Sequence, residues 1–298
     1  MGNYERFLSD ITRQVQHKAV PHASVRVNRI RKNNNTQYDG ISISAPDQQI
    51  VPHIHLDPYF RLYERGASID ELADEILHQN LIYTIRTKVE AEDLRSFERV
   101  KDALRYRIVN AEMNEELLSE IPHRRLLDLA VVYYYEVELP GKVEGTIMVS
   151  GQETKRWGVD LQELDDLAVR QTIEANEAQI LPITELLKQF EPDFSVEEIS
   201  TEECPMLVLT NKRRLFGASC LLYPNIFRDT AEKIGKDLYI LPSSIHEVIM
   251  IPAEEHYEPL ALEAMVKEIN RTQVEFCDVL SDRVYRYRAA EECLGMAR

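Results

Sequence analysis

A chain of 298 residues, 44% of them hydrophobic, exceeds the usual size of one compact domain and can bury a core without a metal or a disulfide. Its 51 acidic and 35 basic residues leave a net charge of −16, which argues against a main surface that meets nucleic-acid phosphates or anionic lipid. The opening MGNYERFLSDITRQ mixes both charges where a secretion signal needs an apolar stretch, and no apolar run approaches the ~20 residues that span a bilayer. A cytoplasmic protein without membrane contact is expected.

Phe7, Leu8, Ile11 and Val15 recur at helical spacing, which predicts an amphipathic helix over NYERFLSDITRQVQHK that Pro21 ends. SVRVNRI and ISISA alternate strictly, and NNNTQYDG between them tolerates left-handed backbone, so the pair reads as a hairpin with QIVPHIHLD as a third strand. Asp57 opens a short helix, and Ser68 with Glu71 forms a capping box ahead of LADEILHQNLIYTI. From Leu94 to Leu118 a helical pattern resumes, with Phe97, Val100, Leu104 and Ile108 three or four apart, until Pro122 interrupts it. RLLDLAVVYYYEVELPGKVEGTIMVS reads as two strands about a Pro-Gly turn, the first apolar enough to be central. Asp160 with Glu163 caps a helix to about Glu177, and a second helix follows Pro182.

The acid-rich EPDFSVEEISTEECP, residues 191–205, suits an exposed connection between an N-terminal lobe, 1–190, and a C-terminal lobe, 206–298. In the latter, MLVLTN and RLFGASCLLY look like an antiparallel pair. A helix from about Asn225 to Gly235 follows, then DLYIL and HEVIMIP as buried strands around a polar turn, the helix PLALEAMVKEINRT and the strand DRVYRY. This ββαββαβ order places the chain in the α+β class, with mostly antiparallel sheets and helices packed on one face, in two lobes. Cys204, Cys220, Cys277 and Cys293 lie far apart and read as small core hydrophobes.

Trp157-Gly158-Val159 ahead of a helix, ASCLLYP, GKDLYILPSSIHEVI, MVKEIN and VLSDRVYRY follow YDGISI, HLDPYFRLYERG and IPHRRLLDLAVVYYY in order. Together they resemble an uncharacterised family of Clostridia-type bacteria, classed as a domain of unknown function, over most of the chain. The resemblance implies a bacterial, cytoplasmic protein of the kind borne on mobile elements, and it carries over no catalytic residue. NEAQILP stands where that family's pattern has an Asn-Thr pair.

Candidate chemistry is sparse. Ser244 and His246 invite a serine-hydrolase reading, but on an extended strand their Cα atoms lie about 6.6 Å apart at about 3.3 Å per residue, with Glu247 on the opposite side. No GxSxG elbow accompanies them, and a hydrogen-bonded turn is the commoner explanation. His53, His55 and Asp57 form H-x-H-x-D, which on a strand puts three ligating types on one face; His123 and Asp128 are the conceivable further donors, and exposed edge histidines the plainer alternative. Arg283, Arg286 and Arg288 interleave with Tyr285 and Tyr287, a pattern that can clamp phosphate and stack a base, though short basic strand faces are usually solvated. Trp157 is either a core residue or part of a binding surface with Tyr133 to Tyr135. Neither GxGxxG nor GxxxxGK[ST] occurs, and no cofactor is expected. The leading expectation is a non-enzymatic binding or regulatory protein of a bacterium or its mobile element, acting in defence or counter-defence through a macromolecular, chiefly protein, partner. The alternative is a metal-dependent or serine-type hydrolase or nuclease at His53/His55/Asp57 or Ser244/His246.

Overall fold

The computed structural model describes residues 2–46, 51–86, 96–139, 143–185 and 206–297. Two compact units divide the chain: Met1–Val100 with Glu136–Ile147, and Lys101–Tyr135 with Met148–Arg298.

In the first unit the helical spacing of the N-terminus becomes α1 (Asn3–Lys18), which buries Phe7, Ile11 and Val15 along one stripe. Strands β1 (Ser24–Arg31), β2 (Gln37–Ser44) and β3 (His53–His55) form an antiparallel sheet in that order. The β1–β2 turn passes through Asn34 and Asn35 at φ 57° and 56°, the left-handed region that Asn enters at low cost. Helix α2 (Asp57–Glu64) and helix α3 (Ile69–Arg86) complete the layer. Ile41 and Ile54 from the sheet meet Leu72 and Ile76 of α3 and Ile11 of α1 in one core. The Ser68–Glu71 capping box is present, each backbone N–H reaching the other's side-chain oxygen at 3.2 Å. A single helical turn, α4 (Phe97–Val100), closes the unit's first segment.

The second unit begins with β4 (Leu104–Asn110), followed by α5 (Glu115–Glu120), β5 (His123–Leu126) and β6 (Leu129–Leu139); the last residues of β6 and nearly all of β7 (Val143–Met148) are counted in the first unit. The strand order is β4-β6-β5, with β7 also paired to β6, so the YYY strand is central as its apolar run requires. Two capped helices follow, α6 (Gly151–Trp157) and α7 (Leu161–Ala175), where Ser150 and Asp160 side chains accept from the Glu153 and Glu163 N–H groups. The rest is a six-stranded antiparallel sheet made from β8 (Ala178–Pro182), β9 (Leu207–Asn211), β10 (Leu238–Leu241), β11 (Val248–Pro252), β12 (Tyr285–Arg288) and β13 (Cys293–Met296), in the order β13-β12-β10-β11-β9-β8. Helices α8 (Ile226–Ile234) and α9 (Pro259–Gln273) connect its strands. The fold is α+β, with antiparallel sheets and helices packed around them.

Several expectations need correction. The helical pattern from Leu94 to Leu118 breaks into α4, strand β4 and α5. Leu104 and Ile108 are four apart, a spacing shared by one face of a helix and one face of a strand, and burial of β4 on both faces hides the alternation. RLFGASCLLY is no strand; Gly217–Leu222 forms 3-10 turns. Arg214 and Phe216 both stand at φ 52°, which ends extended backbone before it starts. With β13 added at the end, the order after residue 205 is βαββαββ. Strand β8 was not foreseen; after it residues 183–185 are helical, while residues 186–190, the 191–205 stretch and Cys204 lie outside the described residues. Of the other cysteines only Cys220 is buried, and Cys293 is exposed.

Gly217 marks the tightest packing. A Cβ there would lie 2.2 Å from Thr210 Oγ1, 2.3 Å from the His246 carbonyl oxygen and 2.9 Å from the Asn211 nitrogen. Two of those atoms are backbone and cannot swing aside. Gly217→Ala is therefore expected to destabilise the chain by about 3 kcal/mol in urea unfolding, and a loss below about 1 kcal/mol would contradict this packing.

Candidate functional site

The turn after β4 is fixed by Asn110, whose Oδ1 accepts from the Glu112 and Met113 N–H groups (3.0 and 2.9 Å) while its Nδ2 donates to the Leu280 carbonyl (2.9 Å). Beside it Asp128, at the β5–β6 turn, accepts from the Ser281 hydroxyl (2.6 Å) and the Tyr285 hydroxyl (2.7 Å). Ser281 in turn accepts the Arg283 N–H at 2.9 Å, and Asn270 of α9 donates to the Ser281 carbonyl (3.0 Å) and to Asp282 (2.8 Å). These bonds tie the last turn of α9, the 281–283 segment and the Asp128 turn together beside a cleft of about 730 Å³. Glu112 and Asp128 line one side, Glu258, Leu260 and Glu263 the other, and a recess of about 360 Å³ continues toward Lys267 and Asp282.

The cleft lining combines Pro259, Leu260, Met296 and Ala297 with the carboxylates Glu112, Asp128, Glu258 and Glu263 and with Arg283. Arg283 approaches Glu263 only to 3.7 Å, and Glu112 and Glu258 pair with no cation among the described residues. Helix α9 buries Leu262, Val266 and Asn270, four apart. One position back, Ala261, Met265 and Ile269 repeat the same spacing on its exposed side, and Leu260 is 79% exposed. A second groove of about 460 Å³, lined by Met206, Ile251, Tyr257 and Met265, flanks this stripe.

The residues singled out from the sequence are dispersed. Ser244 is buried, and its Oγ accepts the His246 N–H at 3.0 Å, a local turn bond. The imidazole Nδ1 accepts from the Phe216 N–H (3.3 Å), which puts the proton of a neutral ring on Nε2, 3.6 Å from Asp278. Neighbouring Glu247 has its carboxyl pushed up by burial. His53 is exposed on edge strand β3, while His55 packs against Tyr38 with Nε2 3.0 Å from Asp57 but not aligned as a hydrogen bond. Asp57 also accepts from Tyr4 at 3.1 Å. Among the described residues no three His, Cys, Asp or Glu side chains group as a metal site requires. His123 Nδ1 faces the Ile121 carbonyl at 3.1 Å.

Trp157 packs edge-on to Tyr135 at 6.3 Å, and Tyr135 donates to Glu153 at 3.1 Å. Arg286 is held by Asp237 at 2.8 Å, Tyr287 packs on Phe227, and Tyr285 is fully buried against Asp128. The interleaved arginine and tyrosine pattern therefore offers no exposed ring of Tyr285 for base stacking. Its strand alternation turns both tyrosines inward. Of this group only Arg283 lines the cleft. Sequence reading passed over Glu258, Leu260 and Glu263, and Glu112 stood only among acidic residues of solvated helix surface. The available signal was the second apolar line in PLALEAMVKEIN, beside the one that packs.

This α+β chain matches the family of unknown function DUF5688 over residues 4–289 and belongs to it. No curated protein and no solved structure matches it. Among the described residues, no helix is long and apolar enough to cross a membrane.

Burial raises the phenol of Tyr285 far above its ordinary value, with the Asp128 charge adding to it, and burial raises Tyr106, Tyr133, Tyr135 and Tyr223 as well. In the unfolded chain these phenols release protons near pH ~10, so their stabilisation is complete below that pH and lost as pH rises above it. Urea midpoints measured against pH should fall above about pH 10, less steeply in Tyr285→Phe. Asp128→Ala strands two buried hydroxyl donors and should cost about 3 kcal/mol in the same assay; a loss under about 1 kcal/mol would show that water replaces the carboxylate.

Proposed function

We propose that the protein is a non-enzymatic binding protein whose cleft beside α9 takes a basic, apolar-anchored segment of a protein partner. The observation that carries this reading is the exposed Leu260 in one cleft with Glu112 and Glu258, carboxylates that pair with no cation among the described residues, while Met265 of the same helix lines the adjoining groove. Apolar anchors in a groove supply affinity, and rim charge of one sign selects a partner of the other and speeds encounter. A net charge of −16 points the same way. The Ser244 hydroxyl and the His246 imidazole both bond backbone N–H groups, which favours a structural role for that pair over a nucleophile and its base. The bacterial, cytoplasmic and mobile-element setting, with a part in defence or counter-defence, completes the proposal and rests on the resemblance described above.

A synthetic amphipathic helix of Leu and Lys, titrated into the full chain, tests the surface against a counterpart carrying Glu for Lys. The Lys helix should bind, lose affinity as salt is raised, and weaken at least about tenfold in Leu260→Ser, since burying one leucine is worth ~1.5–3 kcal/mol. Equal binding of the two helices, no binding of either, or an unchanged affinity in Leu260→Ser would remove the proposal.

A further inference from the structure

On the face of β4 that carries Arg105, Arg107 and Val109, the two arginines are treated differently. Arg105 donates through Nη1 to the carbonyls of Asp102 (2.9 Å) and Leu104 (2.8 Å). Arg107 has no carboxylate partner among the described residues, and its Nε, like that of Arg105, is enclosed without a hydrogen-bond partner. Its guanidinium lies over the Phe216 ring at 4.9 Å. Burial disfavours its charge. The residue as a whole keeps an intermediate solvent exposure.

The loop that supplies the ring is built for the purpose. Phe216 stands in left-handed backbone at φ 52°, a conformation that a bulky residue keeps only when its surroundings enforce it. Asn211 pins the preceding residue, accepting from the Leu215 N–H (3.3 Å) and donating to its carbonyl (2.8 Å). The Phe216 N–H donates to His246, whose ring stacks on the phenyl ring at 5.8 Å and 12°. Tyr134 meets the same ring edge-on at 5.6 Å. Strain, a pinned loop and a stacked histidine thus hold one aromatic face over a guanidinium that lacks its counter-ion. A buried charge without a partner is among the costliest groups a fold can keep, and a planar guanidinium presents a fork of donors matched to oxygen pairs.

We propose that Arg107 anchors an oxyanion-binding site, with Phe216 as its aromatic wall, that takes a phosphate or carboxylate group. The site is independent of the α9 cleft. Calorimetric titration of the full chain with inorganic phosphate and with acetate, at fixed pH and ionic strength in chloride, tests it. At least one oxyanion should bind beyond the chloride control; phosphate alone marks a phosphoryl ligand and acetate alone a carboxylate. Arg107→Gln should weaken that binding at least about tenfold, and should still fold because it removes an uncompensated charge. Arg107→Lys keeps the charge but not the fork, so it should weaken binding too and serves if the first variant does not fold. No oxyanion binding above chloride, or binding unchanged in both variants, overturns the proposal.

Discussion

A single carboxylate organises the second unit. Asp128 sits in the tight turn between β5 and β6 and accepts from two hydroxyls, Ser281 and Tyr285, on the segment that enters β12. Both donors are fully buried and have to find an acceptor inside the protein. Hydrogen bonds are directional where apolar contacts are not, so this clasp fixes the register between the β5–β6 turn and the 281–285 segment. Asn110 adds a second tie to the Leu280 carbonyl, and Tyr106 a third, its hydroxyl donating to the Ser219 carbonyl at 2.7 Å. Through Ser281 and Asp282 the constraint reaches Asn270 and so α9, which places Leu260 and Glu263 opposite Glu112. The cleft is a consequence of how the polar clasp is satisfied.

Two sites of opposite chemistry then share the unit. The α9 cleft combines apolar side chains with carboxylates and suits a cationic partner. At Arg107 a cation lies against an aromatic ring, the arrangement proposed above to take an anion. The first is formed by helix and turn residues, where the exposed charges Glu112 and Glu258 contribute little to stability and only Asp128, held by the Ser281 and Tyr285 hydroxyls, is structural. The second is formed by a strand residue and a strained loop, where charge and backbone conformation are both costly. That contrast separates a surface that can be altered without unfolding from one whose neighbours, Gly217 above all, tolerate no added atom.

Much of the architecture was legible in the chain. Helix α1, the β1–β2 hairpin, the Ser68 capping box, the Asp160 cap, the Gly235 stop and the β10–β11 pair all follow from local patterns, because local bonds decide them. Strand β4 was misread because it is buried on both faces and its apolar residues satisfy two periods at once. The Phe216 loop was misread because its geometry depends on His246, thirty residues further along the chain, as well as on the nearby Asn211. The sites were less legible still. Asp128 stood out only as a conceivable metal donor and Arg283 only within an arginine and tyrosine cluster, and nothing local joins them to Glu258 or Leu260. Arg107 gave no signal, since an arginine on a strand is ordinarily solvated and only the fold reveals that its partner is missing.

Hydrogen exchange of the full chain, with and without a saturating basic amphipathic helix, tests the central claim most directly. The account predicts new protection confined to residues 258–273 and 281–283, with the Phe216 loop unchanged. Protection centred elsewhere, or none at saturation, would contradict it.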